Sequence, residues 1–222
     1  MKNVRIAIWD CDNVMWFHKR NEAEIVAKAL KITNIEEFSV QFFDMLKTFN
    51  CHFLEKRVTE KENYRLILWK MPILDFYGIS AKKFMEVWNG LKFEVNDFNK
   101  ETIIVLEHLK QKGIKSIVKS DWWREVQESL LKGYGILEYI EELHCCDNQY
   151  LKYNPLAVSE IIKSERKEQY VMIGDSVTSD ICFAHNAGIK SIWFNRNEKA
   201  NETPYKPTFE VPSLLDVMEI IS

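Results

Sequence analysis

Asp10 and Asp12 close the apolar run IAIW with a single residue between them, and Asp175 and Asp180, with four residues between them, follow YVMIG in the stretch GDSVTSD. Ser120 ends IKSIVKS, and Lys152 follows ELHCC at a short remove. A carboxylate at the end of a buried strand costs several kcal/mol unless something compensates it. Carboxylates crowded together cannot all ionise unless a cation holds them. Oxygen ligands on short side chains, with no histidine or cysteine cluster, select a hard ion, hence magnesium. Magnesium among carboxylates, faced by a lysine and a hydroxyl, is equipment for phosphoryl transfer, where the protein positions groups and neutralises developing charge.

Those residues share a site only if the elements before them bring their ends together. VRIAIW is a short β-branched run without helical period, as a buried parallel strand requires. Between about Asn21 and Gly90 the segments EAEIVAKAL, IEEFSVQFFDMLKTF, ENYRLILWKM and SAKKFMEVW read as amphipathic helices, with turn and cap signals at Thr33-Asn34 and Gly78-Ile79-Ser80. From residue 99 helix and strand alternate. NKETIIVLEHLKQKG is a helix closed by Gly113, and IKSIVK, ELHCC, YVMIGDS, IKSIWFN and TFEV are strands. WWREVQESLLKGYG, PLAVSEIIKSE, SDICFAHNAG (closed by Gly188) and PSLLDVMEIIS are the helices between and after them. The alternation predicts an α/β fold, a Rossmann-like parallel sheet with right-handed crossovers and helices on both faces. The all-helical stretch is then an inserted cap: residues 1–17 and 96–222 form the core, 18–95 the cap. NRNEKANETPYKP (195–207) is a surface connection. In such a sheet ligands bind beyond the carboxyl ends of the strands, where Asp10, Asp12, Ser120, Lys152, Asp175 and Asp180 all stand.

WDCDNV, IVKS, KYNP and VMIGDSVTSDICFAHNAG, in that order, resemble the four motifs of the haloacid-dehalogenase-like (HAD) hydrolase superfamily, phosphatase type, with a helical cap inserted after the first motif. The resemblance covers the whole chain. It implies that Asp10 attacks phosphorus to form a phosphoaspartyl intermediate, and that Asp12 protonates the leaving oxygen and later activates water. It further implies that Asp10, the backbone carbonyl of Asp12, and Asp175 hold magnesium, with Asp180 acting directly or through water and lysine. Ser120 and Lys152 bind the transferring phosphoryl group. The implied activity is a magnesium-dependent phosphatase acting on a small phosphorylated metabolite. A phosphomutase uses the same motifs, and a weakly active relative would bind a phosphorylated ligand as a regulator. A dehalogenase has no evident need of Asp12 and the metal site.

Four departures from the family pattern bear on this. Asn13 and Val14 replace the usual glycine and threonine; asparagine tolerates φ > 0, but Val14 lacks a hydroxyl that braces the loop. Asp121 puts a negative charge beside an expected anion, and KYNP stands where lysine-proline is usual. Lys119 is no substitute for Lys152, since in a strand it faces away from Ser120.

Composition narrows the classes further. The chain has 222 residues and a formal net charge of −3, which gives no support for a nucleic-acid or anionic-membrane partner. No apolar run spans a bilayer, and the amino-terminal stretch lacks a signal pattern, so the expected location is the cytoplasm. The five cysteines (Cys11, Cys51, Cys145, Cys146, Cys182) show no CxxC spacing and read as reduced thiols, Cys11 as a filler at a strand end. His18 reads as a solvated loop residue. Trp69, Phe76 and Trp88 read as cap core, one of Trp122 and Trp123 as pocket lining, and Arg57 and Arg65 as surface residues or contacts to a second anionic group. Neither Ser120 nor Asp180 needs catalysis to explain it, since each could cap the helix that follows.

Overall fold

A computed structural model describes residues 1, 3–49, 71–147, 149–163 and 166–221. The helix expected over 62–71 lies outside this range apart from Met71, as do Cys51, Arg57, Arg65 and Trp69.

Six strands form one parallel sheet: β1 (Ile6–Trp9), β4 (Lys115–Lys119), β5 (Ile140–His144), β6 (Tyr170–Gly174), β7 (Lys190–Phe194) and β8 (Phe209–Val211), in the order β5-β4-β1-β6-β7-β8. Period-two alternation explains the burial. Ile8 and Met172 face one layer with Ile117, Phe183 and Ala184, while Ala7, Trp9, Val171 and Ile173 face the other. The register sets Ile8 against Ile117 on one side and Met172 on the other, so β1 is buried on both edges and both faces. The chain leaves β1 first to one side and later to the other. That reversal opens a crevice at the carboxyl end of β1.

Two further strands, β2 (Trp16–His18) and β3 (Asn96–Phe98), pair antiparallel, with Trp16 opposite Phe98 and His18 opposite Asn96. Neither was expected. At three residues each, WFH and NDF are too short to show a period. Between them run α1 (Glu22–Ala29), α2 (Ile35–Phe49), α3 (Pro72–Phe76) and α4 (Ala81–Gly90). Asn34 Oδ1 accepts the Glu37 N–H ahead of α2, and Ser80 Oγ accepts the Lys83 N–H at the start of α4, as the cap signals predict. Val26, Phe38, Phe42, Phe84, Met85 and Trp88 bury their apolar faces in the same cluster as Trp9 and Trp16. Phe76 departs from expectation: it is 82% exposed and not part of any core.

The remaining helices are α5 (Glu101–Gln111), α6 (Arg124–Gly133), α7 (Ala157–Ile161), α8 (Cys182–Ala187) and α9 (Asp216–Ile220). Gly188 closes α8 at φ 65°, a conformation that costs a side-chain-bearing residue about 1–2 kcal/mol. The segment 195–207 connects β7 to β8 and is largely exposed.

Candidate active site

The backbone ladder delivers the acids. The Asp10 N–H donates to Ile173 O at 2.9 Å, so β1 and β6 stay paired up to the first carboxylate. Asn13 then turns the chain at φ 61°, the left-handed conformation expected of it. The hydroxyl missing at Val14 is replaced from another element. Asn99 Nδ2 donates to Val14 O at 2.9 Å, and the Asn99 N–H donates to Met15 O at 3.0 Å.

Lys152 enters from the loop after β5 and is almost fully buried. Its Nζ donates to Asp10 Oδ1 and to Asp180 Oδ1, both at 2.6 Å. The KYNP variant therefore keeps its lysine on the first acid. Asp121, whose charge seemed misplaced, instead supports that loop. Its Oδ1 accepts the Lys152 N–H at 3.0 Å, and its Oδ2 accepts the Ser179 hydroxyl at 3.2 Å. Lys119 is buried and donates to Tyr150 O at 2.8 Å, away from the acids as expected.

Asp180 lies in a π-turn, Val177–Ile181, not at the N-cap of α8, which is Ile181. It is fully buried, with Oδ2 accepting the Ser176 N–H at 2.9 Å. Oxygens of Asp10, Asp175 and Asp180 all lie within 4.8 Å of one another. Burial, reinforced by Asp180, pushes the Asp10 carboxyl well up despite Lys152. Burial, again with Asp180, raises Asp175 to about 7. Burial opposes the Lys152 charge, yet Asp10 and Asp180 hold its pKa well above the usual value. One lysine does not balance three carboxylates. The uncompensated charge and the oxygen-only donor set fit a hard divalent cation.

The Asp12 carboxylate turns away from that cluster. Trp16 Nε1 donates to its Oδ1 at 2.9 Å and Gln127 Nε2 to its Oδ2 at 2.8 Å. His18 Nε2 stands 3.4 Å from Oδ1. Burial would raise Asp12, but His18, Trp16 and Gln127 outweigh it and lower its pKa. Ser120 lies at the end of β4 with its N–H donating to His144 O, and it caps no helix, since Trp123 precedes α6. It is fully buried, and its Oγ accepts from Gln127 Nε2 at 2.9 Å and from the Trp122 N–H at 3.1 Å.

A cavity of about 380 Å³ opens over these groups, with Asp10, Asp12, Lys152 and Asp175 at one end and Trp88, Trp122 and Asn96 among its walls. Asp180 and Ser120 lie behind the lining. The expected division between Trp122 and Trp123 holds: Trp122 faces the cavity and Trp123 is 6% exposed. Cys11 is buried, and burial followed by Asp12 pushes its thiol well above the ordinary range, which suits a filler and not a nucleophile.

Sequence reasoning missed Gln127, Glu22 and the role of His18. Gln127 did leave a signal: it is a polar residue on the apolar face of α6, beside Val126, Leu130 and Leu131. Glu22 left none, since an acid in the first turn of a helix is ordinary. His18 is solvated as expected, 36% exposed on the cavity lining, but it ends β2 instead of lying in a loop, and it stands between two carboxylates. Burial opposes its charge, yet Asp12 and Glu22 raise its pKa to about 10.

A sequence profile of haloacid dehalogenase-like hydrolases matches residues 8–194, from the first strand through β7. The chain belongs to this family. The enzyme is also 34% identical over 100 residues to the pyrimidine 5'-nucleotidase PynA of Streptococcus pneumoniae, a stretch covering 43% of this chain and 42% of that protein. Among solved structures it is similar in fold to the HAD-hydrolase YfnB of Bacillus subtilis bound to magnesium, with 17% identity, a TM-score of 0.74 and 99% of each chain covered. A HAD phosphatase of Thermococcus onnurineus matches at 18% identity and TM-score 0.68, over 98% of this chain and 97% of that one. The L-2-haloacid dehalogenase of Xanthobacter autotrophicus matches at 12% identity and TM-score 0.71, over 98% of each chain. No helix among the described residues is long and apolar enough to cross a membrane.

Proposed function

We propose that this hydrolase is a magnesium-dependent phosphatase that hydrolyses a small phosphorylated metabolite through a phosphoaspartyl intermediate on Asp10. The observation that carries it is the clamp of Lys152 on Asp10 and Asp180 at the end of a cavity, beside an acid cluster short of cations. Both Asp180 oxygens are engaged, by Lys152 and by the Ser176 N–H, so Asp180 holds the lysine while Asp10 and Asp175 are the side chains left for the ion. The ion supplies charge neutralisation for the phosphoryl oxygens and for Asp10.

The second Asp10 oxygen attacks phosphorus as the bond to the leaving oxygen breaks. Lys152 shares its charge with the phosphoryl oxygens at that moment, which is when such a group is worth most. Asp12, held ionised at rest by Trp16, Gln127 and His18, takes up a proton as the anionic substrate displaces those contacts, and gives it to the leaving oxygen. It then takes one from the water that attacks phosphorus, which returns the Asp10 carboxylate and releases phosphate. Ser120 is the phosphate ligand most in need of rearrangement, because Gln127 and the Trp122 N–H hold its oxygen behind the cavity wall. Residues 18–95 serve as the cap, on a core of 1–17 and 96–222, and the β2–β3 pair is the seam at which it moves.

The cavity favours a substrate with a planar base. Trp88 and Trp122 supply aromatic walls, and Asn96 Oδ1 is buried without a hydrogen-bond partner among the described residues. The nucleotidase named above supports the same substrate class. The test is magnesium-dependent phosphate release from p-nitrophenyl phosphate and from nucleoside 5'-phosphates, wild type against Asp10→Asn. Turnover that survives in Asp10→Asn would overturn the assignment of the nucleophile. Turnover of sugar phosphates in preference to nucleotides would overturn the reading of the cavity.

A further inference from the structure

The buried Glu22 is unexplained by the chemistry above. It stands in the first turn of α1, where a solvated acid would be free of cost, yet it is 1% exposed. Burying a carboxylate is expensive unless it is paired. Its two oxygens are both used: Oε1 accepts Trp88 Nε1 from α4 at 2.8 Å, and Oε2 lies 3.3 Å from His18 Nδ1. The other ring nitrogen of His18 faces Asp12 at 3.4 Å. A continuous line of polar contacts thus runs from cap helix α4, through α1 and β2, to the second acid of the site.

We propose that His18 and Glu22 are positioning residues for Asp12, holding its carboxylate at the cavity wall clear of Lys152 and the acid cluster, and tying that orientation to the seating of the cap. The proposal rests on the reading of Asp12 as the acid and base of a phosphatase. Asp12 needs such support. Its neighbour Asp10 sits under Lys152, and a free Asp12 carboxylate could swing toward the same cation or toward an ion in the cluster. Trp16 and Gln127 restrain it from the core side. His18 restrains it from the cap side, and Glu22 holds the imidazole square to it. When the cap lifts, Trp88 and α1 withdraw their end of the line and Asp12 loses one of its restraints.

The test separates positioning from general damage by leaving group. A p-nitrophenolate leaves without a proton, whereas the alkoxide of a nucleoside 5'-phosphate needs one. In kcat/KM, which reports formation of the phosphoenzyme, His18→Asn and Glu22→Gln are expected to lose about 10- to 100-fold on the nucleoside phosphate, part of what a general acid supplies. On p-nitrophenyl phosphate the loss is expected to stay within about threefold. Asp12→Asn gives the reference pattern. In its background His18→Asn should add nothing, because the two act as a unit. Equal losses on both substrates, or an additive loss in the double variant, would overturn the proposal while leaving the phosphatase reading intact. A wild type that releases phosphate from neither substrate would overturn both. Glu22→Gln keeps His18 and an acceptor for Trp88, so it carries the test if His18→Asn does not fold.

Discussion

At the residue scale, Lys152 is a single cation serving two buried acids. Lys152→Met should cut phosphate release by about 10²–10³-fold, the loss seen when one donor to developing charge is removed. It should also lower the stability of the metal-free protein by about 3 kcal/mol, because Asp10 and Asp180 are left unpaired; urea denaturation in a chelator measures this. Asn13 makes a different kind of contribution. At φ 61°, Asn13→Gly should leave stability and activity close to wild type, while Asn13→Val should cost about 1–3 kcal/mol through backbone strain. Thermal melts of the two variants decide it, and equal melts would show that the turn relaxes. Asp10, Asp12, Asp175 and Asp180 were legible from residue type and order, because each ends or follows a strand whose apolar run is unmistakable; Lys152, on the loop after the half-exposed IEELH, was placed by its order in the motif set. Gln127 and Glu22 were not, because each acts through a partner far away in sequence, Asp12 at 115 residues and Trp88 at 66; His18 is near both its carboxylates in sequence, but nothing local shows that Glu22 is buried beside it.

At the element scale, β6 and the π-turn after it form one device. A Cβ placed on Gly174 would lie 2.2 Å from Asp180 Cγ, so the strand end is bare in order that Asp180 can fold back over it to reach Ser176 and Lys152. Gly174→Ala should therefore displace Asp180, loosen Lys152 and weaken magnesium binding by about tenfold or more, as losses of supporting contacts around metal ligands do. Titration calorimetry with magnesium measures it, and an unchanged affinity would mean that Asp180 has another seat. The four central strands β4, β1, β6 and β7 were legible because burial on both faces makes them largely apolar runs, whereas the edge strands β5 (IEELH) and β8 (FEV) are mostly exposed and were placed by the alternation of helix and strand; glycines end helices where φ turns positive. The β2–β3 pair was hidden by its length. What defines it is the pairing of Trp16 with Phe98 across the whole helical insert, and no local pattern carries such a pairing.

At the scale of the molecule, the acid cluster makes stability depend on pH and metal together. Asp175 has a folded-state pKa of about 7 against an ordinary value of 3.8, so between those values the folded protein binds more protons than the unfolded chain. Stability of the metal-free protein should accordingly fall as pH rises from about 4 through 7. On the proposed function, magnesium would bind the folded state in place of those protons and at a hundredfold excess over its dissociation constant would add about 2.7 kcal/mol. Melting curves in chelator and in magnesium should therefore diverge above pH 7 and converge toward pH 4; parallel curves would count against the cluster as a cation site. The helical insert and the sheet also meet through a pair of tryptophans. The rings of Trp88, on α4, and Trp122, just past β4, lie 5.0 Å apart at 72°. Two indoles at that separation and angle couple their electronic transitions, and the coupling falls steeply with distance. Trp122 also lies 4.4 Å from Trp123 at 76°, a pair within the core, so the part of the near-ultraviolet circular dichroism couplet that Trp88→Phe removes is an unlabelled gauge of how the helical insert is seated against the sheet.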